Sequence, residues 1–250
     1  MSSSVGNPLG EWRSRMTFVL SLACATVGMG SIWRFSYLSG EYGGGPFVVA
    51  YVVFLLLLGV PLLIAELVLG RQGMGSVVES INRAVERSRL RPVWRVLPWF
   101  ICATGVLLLA LYVVVAGWAL VYAVAMYAGS FNAASMFNAG QYFAALVEDG
   151  DRMLLGQTVF LVCAVTVVGA GVLRGIGFLA WLLVPTLLAG LVLLVQYSLA
   201  NGNASAAGKF LFSVQWLDFN SEAVLMALGQ AFFTLGVGVG TGISFFFFFF

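Results

Sequence analysis

An all-α integral membrane protein of six spans is the fold class that this sequence predicts, and three observations predict it. Apolar residues fill 61% of the 250 positions and charged residues only 9%, against roughly 25% charged in an average soluble domain. A soluble core of this size cannot bury that much apolar surface. The few charges divide the chain into six long uncharged stretches, 16–33, 42–65, 96–147, 153–173, 175–208 and 223–250, and a helical span takes about 20 apolar residues. None of these stretches alternates with period two, the mark of a membrane-barrel strand.

Taken in order, the stretches predict spans near 15–39, 46–70, 94–128, 153–173, 177–199 and 222–250 within a single transmembrane domain, 1–250. The first stretch is short and is extended past Arg34. The stretches 96–147 and 175–208 exceed one span, and each runs into polar residues, Gly129, Ser130, Asn132, Ser135, Asn138 and Gly140 in the first and Asn201–Gly208 in the second. These read as outer loops, 129–152 and 200–221. In the inner loop, 71–93, Ser76 and Glu79 match a capping box, and Val77, Ile81 and Val85 share one helical face. The loop reads either as a short helix lying on the membrane surface or as a solvated connector.

Orientation follows from the Lys/Arg bias. With the N-terminus inside, the inner segments hold Arg13, Arg15, Arg71, Arg83, Arg87, Arg89, Arg91, Arg95 and Arg174, and the outer loops only Arg152 and Lys209. The prediction is a multi-pass protein of the plasma (inner) membrane with a cytoplasmic N-terminus. No cleavable signal peptide is expected, because no A-x-A-like site closes the first apolar run. The six phenylalanines of Phe245–Phe250 read as a truncation or sequence artefact rather than a helix end.

Composition also excludes function classes. A net charge of +2 leaves no electrostatic footprint for nucleic acid. The absence of histidine excludes His-based metal sites and Ser-His-Asp or Cys-His catalysis. Cys24, Cys102 and Cys163 form no CxxC pair. No enzymatic constellation is expected, and nothing in the sequence fixes an oligomeric state.

Two spans carry unusual residues. The first holds Gly28-Met29-Gly30-Ser31 midway and Arg34 at bilayer depth. Glycine is poor helix material, and a membrane-buried arginine usually faces a cavity. A glycine pair for close packing with a snorkelling arginine is one reading. The other is a discontinuous helix whose free N–H groups meet an anion and whose free carbonyls meet a cation. The sixth span holds Gly236, Gly238, Gly240 and Gly242, which fit small-xxx-small packing or a second break. Two interrupted spans in one bundle point to a midplane binding site.

From Trp12 to about Ser244 the sequence resembles the neurotransmitter:sodium symporter family. The resemblance rests on Val27-Gly28-Met29-Gly30-Ser31-Ile32-Trp33-Arg34-Phe35, Gly43-Gly44-Gly45-Pro46-Phe47, Pro61-Leu62-Leu63-Ile64-Ala65-Glu66 and Gly229-Gln230-Ala231-Phe232-Phe233-Thr234-Leu235. It implies an inverted-repeat transporter fold with helices 1 and 6 discontinuous, and sodium-coupled symport of a neutral, apolar or aromatic amino acid. Sodium ions are the implied cofactors, and the lipid bilayer and a small neutral amino acid the implied partners. Met29 and Gly30 would offer backbone N–H groups to the substrate carboxylate, with the Tyr112 hydroxyl beside them. The backbone of Thr26 and the side chains of Ser31 and Thr234 would hold one sodium, and the carbonyls of Cys24 and Val27 a second. Arg34 and Gln230 would form the outer gate, and Phe233 the lid. Tyr51, Gln230 and Thr234 occupy positions that line the chloride site of chloride-dependent relatives.

Departures from the family pattern are specific. Ser31 stands where Asn is usual, Cys24 replaces Gly or Ala, and Leu9 stands where an arginine is usual before Trp12, with Arg13 a substitute for the inner gate. Gly28 occupies the position of the aspartate of amine-transporting relatives, so the substrate must bring its own carboxylate. Gly236 and Val239 replace a larger Ser and Phe of a leucine-transporting bacterial member, opening the side-chain end of the pocket, while Leu108 narrows it. Glu66, ending the second span, is expected to pair with an arginine or with backbone. Family members are about twice this length, so the remaining helices, the inner-gate acid and the residue deciding chloride dependence are expected beyond Phe250. A transport-inactive truncated or half-size membrane protein is the alternative.

Overall fold

The computed structural model describes residues 14–28, 30–129, 136–212 and 220–247. Among these, every regular element is a helix and no strand is present. Four helices are long and apolar enough to cross a membrane, or five if one bent pair counts as a single span. Their faces stay open, with Leu57 68% and Leu107 72% exposed. Hydrocarbon around such side chains is as apolar as they are, so exposure there carries no hydration penalty.

Helix α1 (Arg15–Thr26) begins at Ser14, whose hydroxyl accepts the Thr17 N–H at 3.2 Å. It stops at Thr26, and α2 (Gly30–Glu41) continues at 53° to it. Gly43 and Gly44 then take positive φ angles of 84° and 62°, which turn the chain into α3 (Gly45–Gly73), with Pro46 in its first turn. Proline is at ease there because it lacks only an N–H that the first turn leaves unpaired. Midway, Pro61 cannot donate to the preceding turn, and Leu55–Gly59 forms a π-turn in which Val60 N–H reaches Leu55 O. Such a bulge absorbs the bend that an internal proline imposes.

The connection 71–93 is a helix, α4 (Val77–Arg87), and both halves of its capping box are made. Glu79 N–H donates to Ser76 Oγ at 3.3 Å, and Ser76 N–H to Glu79 Oε2 at 3.0 Å. Its apolar face, Ile81 and Val85, is buried. A 3-10 turn, Pro92–Val96, leads into α5 (Leu97–Tyr127). Next come α6 (Met136–Glu148), α7 (Gly150–Gly169) and α8 (Arg174–Asn201), then α9 (Ala204–Phe212), α10 (Ser221–Leu235) and α11 (Thr241–Phe247).

The two segments read as outer loops are therefore partly helical. In α6, Phe143 packs edge-on against Trp118 of α5, ring centres 5.3 Å apart, so local helix formation is backed by tertiary contact. In α9, Asn203 Oδ1 caps the first turn by accepting Ala206 N–H at 2.9 Å. Asn132, Ser135 and the tract Phe248–Phe250 lie outside the described residues.

Helix α3 is the spine. Its first half lies along α10 and its second half along α11. Small residues let them approach: a Cβ on Gly59 would sit 2.6 Å from Leu235 Cδ1, and one on Gly70 2.7 Å from Ile243 O. Two buried clusters mark the ends of this assembly. Leu38, Phe47 and Ala227 join α2, α3 and α10. Ile81, Val85 and Ile243 join α4 and α11, with Leu69 and Ile101 packed against them.

Helices α5 and α7 also meet through glycine. A Cβ on Gly117 would lie 2.8 Å from Gln157 N, and one on Gly156 2.8 Å from Gly117 O. Gly117→Leu is expected to lower stability by the ~1–3 kcal/mol of an overpacked interface, read as a fall in thermal midpoint in detergent. Gly190→Leu, where a Cβ meets nothing within 4 Å, should leave the midpoint in place.

Candidate functional site

The break between α1 and α2 is held by a few short bonds. Val27 N–H closes the last turn of α1 onto Ala23 O at 2.7 Å, and both Ser31 N–H (3.0 Å) and Ile32 N–H (3.2 Å) turn back to Gly28 O. The Ser31 hydroxyl donates across the break to Thr26 O at 2.9 Å, and the Thr26 hydroxyl donates to Ala23 O at 3.0 Å. Two of the oxygens expected to share a cation, Thr26 O and Ser31 Oγ, are thus already adjacent. Met29 lies outside the described residues.

The apolar stretch 223–250 is interrupted by a glycine turn. Helix α10 stops at Leu235, and Gly236, Gly238 and Gly240 take φ angles of 62°, 88° and 74°. Side-chain-bearing residues enter this left-handed region only with strain, so the alternating glycines serve backbone direction. Glu66 of α3 holds the turn in place. Its Oε1 accepts Gly238 N–H at 2.7 Å and its Oε2 accepts Gly242 N–H at 3.2 Å. Of the two partners expected for Glu66, backbone and not arginine is the one found.

Between the breaks sits Gln230, which is fully buried. Its Oε1 accepts from Arg34 Nη1 at 3.1 Å, and its Nε2 donates to Gly30 O at 2.8 Å and to Thr234 Oγ1 at 3.3 Å. One amide therefore ties the start of α2 to α10 and brings together Gly30, Arg34, Gln230 and Thr234. The Arg34 guanidinium also stands 5.2 Å from the centre of the Phe233 ring.

Phe233 covers Gly30 so closely that a Cβ there would collide with its Cε1. On its other side the ring lies nearly parallel to Tyr112, centres 6.2 Å apart at 9°. Both rings border two cavities. One, about 420 Å³, is lined by Leu108, Tyr112, Phe233, Gly236 and Val239, with Thr104 and Thr241 among its polar groups. The other, about 70 Å³, lies against Gly30, Trp33, Arg34 and Leu111. The ring pair is thus a partition between a roomy chamber and a narrow one.

Two further sets of expected residues lie apart from these cavities. Cys24 and Val27 line a separate cavity of about 380 Å³ against Leu183–Leu188 of α8. Tyr51 packs on Phe35, centres 4.8 Å apart, beside the cluster of Leu38, Phe47 and Ala227, one turn along α10 from Gln230. Sequence reasoning missed Thr104, although it precedes Leu108 and Tyr112 at four-residue spacing on one face of α5. It likewise missed Val237 and Thr241, which reach the chamber only because the glycine turn directs them there.

Long apolar helices and two helix interruptions bordering a chamber with few polar groups are features of the transporter class of membrane proteins. Comparison with known proteins names the family. The sodium:neurotransmitter symporter family model matches residues 9–139, more than half of the chain, and the chain belongs to that family, whose members are sodium-dependent transporters and not enzymes. It is 36% identical over 90% of its length to an uncharacterized sodium-dependent transporter of Bacillus subtilis, YhdH, covering 49% of that protein. It is 34% identical over 45% of its length to the human sodium- and chloride-dependent GABA transporter 2, covering 18% of it. The fold matches the crystal structure of MhsT in complex with L-phenylalanine, with a TM-score of 0.86 and 34% identity, over 96% of this chain and 54% of that one. The chain spans about half the length of its full-length relatives YhdH and MhsT.

Removing the carboxylate at position 66 leaves two backbone donors of the glycine turn without acceptors, at about 1–3 kcal/mol each. Glu66→Ala is expected to lower the thermal midpoint clearly, and Glu66→Gln, which keeps one acceptor oxygen, by less. Hydrogen exchange should report faster exchange at Gly238 and Gly242 in the alanine variant.

Proposed function

We propose that this chain forms the cargo- and ion-binding half of a sodium-coupled symporter for a neutral amino acid with an apolar or aromatic side chain. The observation that carries this reading is the chamber bounded by Tyr112, Phe233 and the two helix breaks. It has apolar walls for a side chain and, at the edge it shares with the narrow cavity against Gly30, the Tyr112 phenol, which suits a carboxylate. The amino-acid carboxylate meets the N–H groups at Met29 and Gly30 and the Tyr112 hydroxyl, while the side chain occupies the space between Leu108, Gly236 and Val239. Phe233, which lies on Gly30, swings away to admit the carboxylate and closes over it with Arg34 and Gln230.

Sodium in the first site takes oxygens from Thr26, Ser31 and Thr234 and touches the substrate carboxylate; oxygen donors suit a hard cation. A second sodium takes the carbonyls of Cys24 and Val27. Tyr51, Gln230 and Thr234 are the positions to which chloride would come, with chloride coupling set by residues beyond these three. The arrangement is six spans, the first formed by α1 and α2 and the sixth by α10 and α11, with the N-terminus cytoplasmic, as the arginine bias directs. The L-phenylalanine bound by MhsT supports the choice of substrate class. With Gly28 in place of an acid, no side-chain counter-ion awaits an amine that lacks a carboxylate.

Binding of labelled leucine to the purified protein, measured with and without sodium and competed by unlabelled compounds, tests the proposal. Binding is expected to need sodium, and phenylalanine, tryptophan and leucine should compete better than glycine, lysine, glutamate or tryptamine. An apolar pocket discriminates by about 1–3 kcal/mol per methylene, so the panel should show graded preference. Strong competition by tryptamine with weak competition by tryptophan defeats the assignment, and an absence of all binding favours a transport-inactive protein. Thr234→Val removes one hydroxyl ligand and should shift sodium dependence to higher concentration, by the equivalent of ~1–3 kcal/mol. An unchanged sodium curve removes Thr234 from the site.

A further inference from the structure

The arginine-rich end of the bundle carries groups that the transport reading leaves unused. Six arginines lie between Arg71 and Arg95, against only Glu79 and Glu86. Both acids are occupied: Glu79 closes the capping box of α4, and Glu86 pairs with Arg95 at 3.0 Å. Arg83 donates to the carbonyls of Gly73 and Met74, and Arg87 to Gln72 O at 2.9 Å, so these two cap the end of α3. Arg71, Arg89 and Arg91 remain exposed, with no ion pair or side-chain hydrogen bond among the described residues.

Arg89 stands at a position built for glycine. Leu90 N–H reaches Val85 O at 3.0 Å and Arg89 N–H reaches Glu86 O at 3.2 Å, the paired bonds of a Schellman ending in which the residue after the cap is left-handed. Arg89 has φ of 51°, one of two non-glycine residues with positive φ among those described. Local backbone energetics therefore oppose a side chain there. On the following turn, Leu90, Val93 and Trp94 expose 51%, 66% and 51% of their surface, and Pro92 starts that turn. A tryptophan beside unpaired arginines, at the end of long apolar helices, is the side-chain pattern of the membrane–water interface.

We propose that Arg89 and Arg91, with Leu90, Val93 and Trp94 beside them, form a binding site for an anionic phospholipid. The guanidinium groups bind the headgroup phosphate through paired N–H···O bonds, and the apolar side chains enter the acyl boundary next to it. Charge complementarity selects the occupant: two free cations with their acids already engaged attract an anionic headgroup and gain little from phosphatidylcholine. The site explains the arginine at a left-handed position, because function at the headgroup offsets the local strain.

Native mass spectrometry and thermal melting of the purified protein, titrated with phosphatidylglycerol or phosphatidylcholine, test this. Phosphatidylglycerol is expected to bind more tightly and to raise the melting temperature more than phosphatidylcholine. Arg89→Gly and Arg91→Gln should each weaken phosphatidylglycerol binding roughly fivefold, the ratio equivalent to ~1 kcal/mol for one arginine near an anionic surface. In lipid-free detergent Arg89→Gly should melt no lower than the parent, since glycine relieves the left-handed backbone, so lost binding cannot be lost folding. Lys209→Gln, on a different helix, should bind like the parent. Equal affinity for the two lipids, unchanged binding in both arginine variants, equal loss in Lys209→Gln, or full competition by millimolar inorganic phosphate would each overturn the proposal. These readouts are independent of amino-acid binding, so the lipid site and the transport reading stand or fall separately.

Discussion

A carboxylate in the second half of α3 fixes the glycine turn between α10 and α11. Glu66 is nearly buried and accepts two backbone N–H groups from the glycine turn at 2.7 and 3.2 Å. Leaving such buried donors without an acceptor costs about 1–3 kcal/mol each. The turn needs such a partner because its own residues have left the helical ladder. Once Glu66 fixes it, α10 and α11 are directed along opposite halves of α3, and Thr241, Val237 and Val239 face the chamber. The chamber wall formed by Gly236, Val237, Val239 and Thr241 rests on that attachment.

The halves on either side of the turn are anchored separately. Phe47, Leu38 and Ala227 bind α10 to α2 and α3. Ile243 binds α11 to Ile81 and Val85 of α4, and the Tyr42 hydroxyl donates to Glu222 at 2.8 Å, joining the far ends of α2 and α10. Gln230 adds a buried link between Gly30 and Arg34 on one side and Thr234 on the other. Each half thus has a packed base of its own. Packed interfaces of this kind shift as units and do not deform gradually.

Much of this was legible in local sequence. The uncharged stretches mark the long helices, Ser76 and Glu79 mark the start of α4, and the glycines at 236, 238 and 240 mark the place where α10 ends, because each signal acts through its own backbone within a turn or two. The segments read as loops, 129–152 and 200–221, were harder. Asn138 and Gly140 suggest a loop locally, yet α6 persists because Phe143 reaches Trp118. Asn203 was visible as a cap only in retrospect. Of the candidate site, the break glycines and Arg34 were legible in the residues themselves and Gln230, Tyr112 and Phe233 through family resemblance, whereas Thr104 and Thr241 were not, since nothing in their immediate neighbours distinguishes a chamber wall from a lipid-facing one.

By itself the sequence determined that the chain is helical, apolar enough to reside in a membrane, and marked by glycine clusters in its first and last apolar stretches. Those properties follow from composition and from spacing along the helix, which do not depend on what lies across the bundle. Tertiary structure alone decided that Glu66 takes backbone and not arginine as its partner, across 172 and 176 positions. It also decided that Phe233 covers Gly30, and that one glutamine amide serves three groups. The physical reason is that desolvated polar atoms must find partners wherever packing leaves them, and which distant donor arrives within 3 Å is a property of the packed helices and of no single segment.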